Sequence, residues 1–494
     1  MMATLHGWLE RNARKYVNKE ALVTDHVRVS YEEWNQTCNQ LAHLLLTYGV
    51  SYGDHVGIIA DTNEHFVYAY FSLLKIGAVA VPISCHLTTE ETISLLDQFD
   101  VRFLLCEDRV YTSLQRSSVT LPATFYSIED LLLRAHVFSD ENLELTISNQ
   151  TTCAIMVTED KSECLNGVVV THEQVMAVAT SFAYEFQVTS ADSVLSTMPL
   201  SHSTSLHCFF LAGLYAGSSH HLHPFSPARF VQVIQEEQPT ITYADLRCYS
   251  EMAHHYDADA LPDRFPSINI FAYGGGRMTT STYEKIRRLF PVERLYHVYG
   301  VTEMGANGTI LRPYEHAEKM GSIGREAVIS MEMTVVNDEG KETRAHEYGE
   351  LMLRGDSMST YYKEIFPFSF EKPWFATGEI GYRDEDDYVF IVDRKKNVIT
   401  LNGMDVYPRE IEEVLAAHPH IVAASVVSIS HNEKDNKLKA VLVTKEGITV
   451  TQQAMQTYVS TYLAPHQQPS IFRFVAALPR NENGEVLKAF VKEL

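Results

Sequence analysis

Residues 377–415 read TGEIGYRDEDDYVFIVDRKKNVITLNGMDVYPREIEEVL. A Thr-Gly-acid turn that ends in Glu379 comes first, and the alternating apolar residues that follow it predict a strand. Arg394 opens a cationic cluster directly after that strand. Gly403 marks a turn, and Pro408 is well placed for the first turn of a helix. The stretch is therefore predicted to pass from a strand through turns into a helix.

Two residues of this stretch have side chains that suit a nucleotide. Glu379, beside a glycine turn, can accept hydrogen bonds from sugar hydroxyls. Arg394 can bind phosphate through the N–H donors of its planar guanidinium group. Turns of this kind usually only connect strands. Together and in this order, however, the pieces resemble the domain-crossing segment of the adenylate-forming superfamily. That superfamily includes acyl-CoA synthetases, peptide-synthetase adenylation domains and firefly luciferase.

Other segments resemble landmarks of the same superfamily, in the same order along the chain. They are KIGAVAVP at 75–82, MPLSH at 198–202, YGVTE at 299–303, GSIG at 321–324, GEL at 349–351 and NGEVLK at 483–488. The MPLSH segment resembles the P-L-x-H turn that edges the acyl pocket, and YGVTE matches the motif Y-G-x-T-E letter for letter. The resemblance spans essentially the whole chain.

Length and composition place the chain in a broad class. At 494 residues it exceeds what one hydrophobic core usually supports, so two or more domains are expected. Its 45% hydrophobic and 21% charged residues are typical of globular proteins. A net charge of −23 argues against nucleic acid or an anionic membrane as the main partner, although one local basic site could still bind a nucleotide.

Cysteine usage and the N-terminal segment both favour a cytoplasmic protein. The seven cysteines are scattered and contain no C-x-x-C pair, which favours free thiols in a reducing compartment. The N-terminal MMATLHGWLERNARK has no apolar signal core. The most apolar window, residues 66–83, contains Lys75 and ends near a proline, so we interpret it as a buried helix and strand and not as an integral membrane span.

Alternation of apolar strands and amphipathic helices predicts an α/β fold with parallel-rich sheets. Thr88 and Glu91 can form a capping box that opens one of the helices. Strands are predicted at 55–60, 79–83, 101–106, 240–244, 268–273 and 295–299, with helices between them. By the resemblance, residues 1–395 form a large N-terminal domain that holds the acyl and ATP pockets. Residues 396–494 form a small mobile α+β domain, with Lys396 at the hinge.

Two predicted strands end in turns with side chains or backbone suited to chemistry. Ligands of open α/β sheets bind at the carboxyl ends of strands, where Gly274-Gly275-Gly276 and the segment 299–303 are predicted to lie. Three glycines let the backbone approach a flat ring, and Thr302 and Glu303 suit a phosphate oxygen and Mg²⁺ respectively. A turn with a helix-capping threonine is the alternative, and the match to Y-G-x-T-E favours the nucleotide site.

The resemblance implies a two-step reaction that uses ATP, Mg²⁺ and CoA. A carboxylate attacks the α-phosphate, and a thiol then takes the acyl group. Lys488 would bridge the two reacting anions, Glu303 would bind the metal, and His202 would form a gate or wall of the acyl pocket rather than a general base. The predicted nucleotide- and CoA-binding residues are Thr158, Lys161, Ser162, Gly274, Gly275, Gly276, Tyr299, Gly300, Thr302, Glu379, Arg394, Lys396 and Gly403.

The stretch that corresponds to the phosphate-binding loop departs from the family. The family has a Ser/Thr/Gly-rich loop, roughly T-S-G-T-T-G-x-P-K-G, where residues 158–167 here read TEDKSECLNG. Only Thr158 and Gly167 clearly match, with Lys161 and Ser162 as partial replacements. A milder departure is Glu379, since the ribose acid of the family is usually an aspartate.

Two consequences of the altered loop stay open at the level of the sequence. Asp160 and Glu163 replace glycines, and a carboxylate near a phosphate costs on the order of a few kcal/mol unless a cation intervenes. ATP binding could persist through Lys161 or an additional Mg²⁺ ion, or it could be lost. The alternatives to an acyl-CoA synthetase are accordingly a degenerate homologue that binds an acyl group or nucleotide without adenylating, and a ligase that loads a carrier protein.

Several properties are left undetermined by the sequence. The carboxylic acid, fatty or aryl, depends on pocket side chains that only a structure places. A homodimer is one assembly that is compatible with the sequence. The histidines at 220, 221 and 223 lie close together, but neighbouring residues of a strand point to opposite faces, and no cysteine or acid accompanies them, so a zinc site is not predicted.

Replacing the loop acids by the family's residues tests whether charge repulsion weakens ATP binding. We expect the triple variant Glu159→Ser, Asp160→Gly, Glu163→Gly to lower the KM for ATP by about tenfold, equivalent to ~1.4 kcal/mol. Steady-state kinetics at low ionic strength measure it, because salt screens the repulsion. Unchanged or poorer use of ATP would count against repulsion as the defect.

Overall fold

The computed structural model describes residues 4–116, 121–160, 164–256, 265–361, 374–401, 404–430, 436–480 and 486–494. The chain divides into two compact units. The first contains Met1–Met333 and Leu353–Phe375, and the second contains Thr334–Met352 and Ala376–Leu494. The boundary predicted from the sequence, between residues 395 and 396, stays a prediction.

The helices of the described residues are α1 (Leu5–Lys15), α2 (Tyr31–Thr47), α3 (Glu64–Ile76), α4 (Thr89–Gln98), α5 (Asp108–Arg116), α6 (Ile128–Ala135), α7 (His172–Glu185), α8 (Leu211–Ala216), α9 (Pro227–Glu237), α10 (Leu246–His255), α11 (Thr280–Ile286), α12 (Pro408–Ala416), α13 (Gln452–Tyr462) and α14 (Lys488–Glu493). A π-helix, Thr204–Phe210, directly precedes α8.

The strands are β1 (Glu20–Val23), β2 (Arg28–Ser30), β3 (His55–Ile59), β4 (Val79–Pro82), β5 (Phe103–Cys106), β6 (Thr124–Ser127), β7 (Thr152–Asp160), β8 (Cys164–Thr171), β9 (Ser193–Ser196), β10 (Ser219–Leu222), β11 (Ile241–Asp245), β12 (Ile270–Gly274), β13 (Leu295–Gly300), β14 (Gly308–Leu311), β15 (Met331–Val336), β16 (Gly349–Gly355), β17 (Thr360–Tyr361), β18 (Phe375–Arg383), β19 (Val389–Arg394), β20 (Ile399–Leu401), β21 (Met404–Val406), β22 (Ile421–Ser430), β23 (Asn436–Thr444) and β24 (Ile471–Val475).

The first unit contains two large sheets. One has the strand order β14-β13-β12-β11-β9-β10-β1-β2, and its strands from β13 through β1 run parallel. The other has the order β17-β8-β7-β4-β3-β5-β6, with parallel pairing from β7 through β6. Helices cover the sheets, as parallel strands joined by crossover helices require. The predicted α/β class with parallel-rich sheets is confirmed.

Local sequence signals set the ends of several helices as predicted. Thr88 and Glu91 form the predicted capping box at the start of α4: the Thr88 side chain accepts from the Glu91 backbone N–H, and the Glu91 carboxylate accepts from that of Thr88. Pro408 occupies the first turn of α12. That helix ends at Ala416, before Pro419, since the residue preceding a proline is disfavoured in helical conformation.

The apolar window from Phe66 onward forms α3, which is buried along nearly its whole length. Lys75 of this helix has a side chain only 1% exposed, and its Nζ donates to Glu10, Asn35 and Asn142. A buried ammonium group is tolerated because these oxygens satisfy it. Within the described part of the chain, no helix is long and apolar enough to cross a membrane.

The second unit has smaller sheets. β15, β16, β18 and β19 are ordered β15-β16-β18-β19, β20 pairs with β21, and a separate sheet has the order β22-β23-β24. The core packed by α12 and α13 includes Ile411, Leu415, Leu442 and Val459. This is the small α+β arrangement that the resemblance implied for the C-terminal region.

Acids lie beside two of the three neighbouring histidines, contrary to the expectation from the sequence: Glu237 lies near His221, and Asp25 Oδ1 lies 3.2 Å from His223 Nδ1. The six cysteines with described surroundings are free thiols. His220 and His221 point to opposite faces of β10: the ring of His220 packs 4.4 Å from that of Phe210, whereas His221 lies 3.9 Å from Glu237. Among the described residues, no group of three or more metal-ligating side chains occurs.

Burial of His220 predicts loss of stability in acid. Burial lowers the pKa of His220 to about 3, below its unfolded value of roughly 6.5. The contribution of neutral, buried His220 to the free energy of unfolding is therefore complete above pH 6.5. It declines by ~1.4 kcal/mol per pH unit as the pH falls from there toward 3. His220→Leu should flatten the pH dependence of unfolding between pH 6.5 and 4.5, whereas the exposed-site variant His86→Leu should not.

Urea unfolding followed by tryptophan fluorescence measures this difference, because the Trp34 ring lies 6.2 Å from that of His220. Equal pH slopes in His220→Leu and the unmodified protein would contradict the assignment.

Candidate active site

The order of the strands marks one edge of the eight-stranded sheet as a candidate ligand site. From β9 the chain continues to β10 on one side, and it then returns to β11 on the other side of β9. The connection that leaves β9 therefore runs toward one side of the sheet, to β10. The connection that leaves β11 runs toward the other side, to β12. Such a switch point, at the carboxyl ends of parallel strands, is where open α/β sheets bind ligands.

The predicted site segments of the first unit meet along this edge. Residues 197–203 follow β9, Gly274 ends β12, and Gly300 ends β13. The Ser203 hydroxyl lies 3.3 Å from that of Thr302, which joins the P-L-x-H turn to the Y-G-x-T-E turn. His202 is solvent-exposed at the same edge, beside Ser203.

A π-helix continues from the His202 turn and packs on the sheet. Its wider turn is a feature that occurs often at functional sites. Cys208 Sγ donates to the Ala306 carbonyl at 3.5 Å, and the Phe209 ring stacks on Tyr243 with centroids 4.9 Å apart. The segment is thereby held across β11 and the loop after β13.

Close approach of other chain segments explains two of the glycines. Gly275 has a φ of +76°, and a Cβ there would lie 2.3 Å from Asp245 Oδ2. At Gly300 a Cβ would lie 2.1 Å from the Ala306 carbonyl oxygen, so glycine is required where β13 pairs with Gly308 of β14. Both turns leave the backbone itself as the surface of the crevice.

Tyr273, which directly precedes the three glycines, fixes the position of their turn through its packing and its hydroxyl group. Tyr273 is fully buried, its ring stacks on His297 with centroids 4.6 Å apart, and its hydroxyl lies 3.0 Å from His316 Nε2. Glu303 is held through its backbone, since its carbonyl accepts from the Ser359 N–H at 2.8 Å. The turns that carry the predicted nucleotide contacts are therefore fixed by packing.

The phosphate-loop region forms a β-hairpin. β7 and β8 pair antiparallel through Thr158–Asn166, Glu159–Leu165 and Asp160–Cys164, and the Thr158 hydroxyl donates to the Asn166 carbonyl at 3.3 Å. Backbone groups committed to a ladder are not available to cradle phosphates. The predicted residues Lys161 and Ser162 lie outside the described residues, as does Gly403.

The second unit brings together the two residues predicted to hold the nucleotide. Glu379 of β18 lies directly opposite Arg394 of β19 in the antiparallel register, so the two side chains share one face. Asp393, buried at 3% exposure, orders the adjoining turn: it accepts from the backbone N–H of Arg394 at 2.7 Å and of Arg409 at 2.8 Å. Lys396 lies in the short helical turn that follows.

Lys488 begins α14 and is positioned by an acid of the same unit. Its Nζ lies 3.2 Å from Glu412 Oε1, and that oxygen also accepts from the Val426 N–H at 2.7 Å. The lysine side chain is 27% exposed, so the ion pair is in contact with solvent and is weak. Lys488 is therefore available to exchange this partner for another anion.

Sequence reasoning missed two residues of these sites: Asp245 and Asp393. The predicted strand ended one residue before Asp245, and an acid at the carboxyl end of a buried strand was the signal that could have found it. Asp393 directly precedes Arg394 and was available from the sequence as a candidate for ordering the turn.

Replacing Gly275 by alanine tests whether the close approach of Asp245 shapes the crevice. The Cβ would meet Asp245 Oδ2, and the positive φ adds strain, so we expect Gly275→Ala to reduce acid-dependent turnover of ATP at least tenfold. Gly340→Ala is the matched control, since Gly340 has a φ of +73° with nothing within 4 Å of the added Cβ. Equal losses in both variants would assign the effect to backbone strain alone.

Comparisons with known proteins agree with this architecture. The AMP-binding enzyme family matches residues 9–158 and 166–363, and the AMP-binding enzyme C-terminal domain matches residues 410–485. The gap between the first two segments, 159–165, falls in the β7–β8 hairpin. The family match therefore omits the segment in which the sequence departs from the phosphate-binding loop.

Curated relatives and solved structures cover nearly the whole chain. It is 27% identical to the long-chain-fatty-acid–CoA ligase FadD13 of Mycobacterium tuberculosis over 94% of this chain and 93% of that protein. It is 27% identical to the 2-succinylbenzoate–CoA ligase of Bacillus velezensis over 100% and 99%.

Among solved structures, the chain is similar to the O-succinylbenzoate coenzyme A synthetase MenE of Bacillus subtilis in complex with AMP. The TM-score is 0.87 at 25% identity, covering 98% of each chain. ATP-bound MatB of Rhodopseudomonas palustris, with a TM-score of 0.88 at 21% identity over 100% of this chain and 99% of that one, shares the fold. The resemblance predicted from the sequence is confirmed: the chain belongs to the AMP-binding enzyme family.

Proposed function

We propose that this protein is an ATP-dependent acid–thiol ligase of the acyl-CoA synthetase type. A carboxylate oxygen attacks the α-phosphorus of ATP, the bond to the β-phosphate breaks, and pyrophosphate leaves. The thiol of CoA then attacks the acyl carbon, and AMP leaves. The observation that carries the proposal is that the Gly274–Gly276 turn, the Tyr299–Glu303 turn and the His202 turn follow strands of one sheet at the same edge, where the Ser203 and Thr302 hydroxyls lie 3.3 Å apart.

Residues of the first unit would bind and orient the reacting groups. The glycine turn offers bare backbone to the flat base, and the Thr302 hydroxyl, fixed beside Ser203, can donate to a phosphate oxygen. Mg²⁺ usually binds through one or two carboxylates together with substrate phosphates and water. Glu303 alone in that turn fits this pattern, and the ion would neutralise phosphate charge when bound.

Residues of the second unit have matching roles. Glu379 can accept the ribose hydroxyls, and Arg394 across the same strand pair can donate to phosphate. Lys488 would supply the positive charge between the carboxylate and the α-phosphate, with Lys396 as the hinge residue. CoA is the proposed acceptor, with a carrier-protein thiol as the alternative.

A second function is favoured by one observation, the β7–β8 hairpin. Because backbone groups of residues 158–160 and 164–166 pair in the ladder, they would hold the β- and γ-phosphates less well than a glycine-rich loop. The alternative is a homologue that binds an acyl group or nucleotide without adenylating. ATP–pyrophosphate exchange over a panel of fatty and aryl acids discriminates the two. Acid-dependent exchange supports the ligase, and its absence, with AMP binding retained, supports the alternative.

Two further expectations are proposed with the ligase. A cytoplasmic location accords with free thiols, and cell fractionation tests it. Self-association as a homodimer is tested by sedimentation of the full chain.

Removing the charge of Lys488 separates the two half-reactions. We expect Lys488→Ala to lower adenylate formation by at least a hundredfold, about 2.7 kcal/mol, because two anions would then approach without neutralisation. Transfer from supplied acyl-adenylate to CoA should change little. Lys492→Ala, which removes an exposed lysine from the same helix, is the control. Equal loss in both half-reactions would contradict a role confined to adenylation.

A further inference from the structure

Tyr273 is the residue of β12 that directly precedes the glycine turn, Gly274–Gly276, and its side chain is fully enclosed. A tyrosine at this depth needs a hydrogen-bond partner, because a buried hydroxyl group without one is unfavourable. That partner is His316, whose Nε2 lies 3.0 Å from the hydroxyl oxygen. His316 is itself only 1% exposed, so the contact is shielded from solvent.

The other ring nitrogen of His316 sets the direction of this hydrogen bond. Nδ1 lies 2.9 Å from the carbonyl oxygen of Arg312, which can only accept, so Nδ1 carries the proton and donates. Burial lowers the pKa of His316, so the ring is neutral near pH 7. A neutral ring that is protonated at Nδ1 has a lone pair at Nε2. The Tyr273 hydroxyl therefore donates, and His316 accepts.

A second histidine contacts the ring of Tyr273. His297 of β13 lies opposite Tyr273 in the parallel register, and the two rings stack with centroids 4.6 Å apart and 1° between their planes. The Nδ1 atom of His297 lies 3.0 Å from the carbonyl oxygen of Ser322. Both histidines thus connect Tyr273 to backbone carbonyl groups of one segment, residues 312–324, which follows β14.

The same segment also packs against the residue that follows the glycine turn. Arg277 lies so close to Gly321 that a Cβ added there would come within 2.6 Å of Arg277 Nε. The glycine turn is therefore bounded on both sides by contacts to residues 312–324, through Tyr273 before it and Arg277 after it. Three successive glycines restrict the backbone little by themselves, so these contacts determine where the turn lies.

We infer that His316 is a positioning residue for nucleotide binding: by accepting from Tyr273, it fixes where the glycine turn presents its backbone to the base of ATP. The inference rests on the proposed ligase function, which places the base at this turn. The base does not react, so the turn contacts it equally in the ground state and in the transition state. Loss of the hydrogen bond therefore weakens nucleotide binding and changes the chemical step little.

Steady-state kinetics of ATP–pyrophosphate exchange separate these two effects. Tyr273→Phe removes the hydroxyl group and retains the stacked ring, and His316→Leu removes the acceptor. We expect each variant to raise the KM for ATP at least fivefold while kcat changes less than twofold. His316→Gln retains a side-chain oxygen that can accept, so its KM should stay within twofold of the unmodified protein. The double variant should raise KM no further than the larger single change, because all three proteins lose the same interaction.

Tyr31→Phe is the matched control, since Tyr31 is also fully enclosed and its hydroxyl group donates to the Ser218 carbonyl. Tyr31 begins α2, which packs on α3 and β1. This variant should lower the thermal unfolding temperature, as Tyr273→Phe does, and leave the KM for ATP within twofold. An equal rise in KM in both tyrosine variants, an unchanged KM in Tyr273→Phe, or a KM in His316→Gln as high as in His316→Leu would overturn the inference.

The inference and the ligase function fail in different ways. AMP is therefore also titrated calorimetrically into the full chain and its variants. A dissociation constant for AMP at least fivefold higher in Tyr273→Phe and in His316→Leu supports the inference even where no acid supports exchange, a result that would reject the ligase proposal. Equal affinity for AMP in all the proteins, or no binding of AMP by the unmodified protein, overturns the inference, whereas acid-dependent exchange would still support the ligase.

Discussion

The divergence of the chain at the carboxyl ends of β9 and β11 is the constraint on which the candidate site depends. Parallel strands point their carboxyl ends to one edge, and only a reversal of strand order opens a crevice there. Residues distant in sequence, such as Ser203 and Thr302, come within hydrogen-bonding distance through this arrangement. The chemistry of the site is then set by whichever side chains follow the strands.

Close packing at this edge gives the glycines their roles. At Gly275 and Gly300 another segment lies so close to the backbone that an added Cβ atom would collide with it. On β11 the Phe209 ring stacks on Tyr243, and Asp245 approaches Gly275. Buried polar groups discriminate between ligands mainly through hydrogen bonds that a wrong ligand cannot make.

The hairpin of β7 and β8 contains the segment, residues 159–165, that the family match omits. Strand pairing through Asp160 and Cys164 uses backbone groups that a glycine-rich loop would leave for phosphates. Glu379 and Arg394 lie opposite each other on β18 and β19. Within the second unit, the Asp393 and Glu412 carboxylates accept hydrogen bonds from backbone N–H groups.

The sequence by itself determined the fold class, the strands β3, β4, β5, β11, β12 and β13, and the capping box of Thr88 and Glu91, because these depend on residues adjacent in the chain. It also identified Gly274, Thr302, Glu379 and Arg394 as candidates, because motif residues keep their spacing along one strand or turn. The tertiary structure alone decided that the Tyr273 hydroxyl lies against His316, and that Lys488 pairs with Glu412. Those relations depend on strand register and helix packing between segments far apart in sequence, which no local pattern encodes.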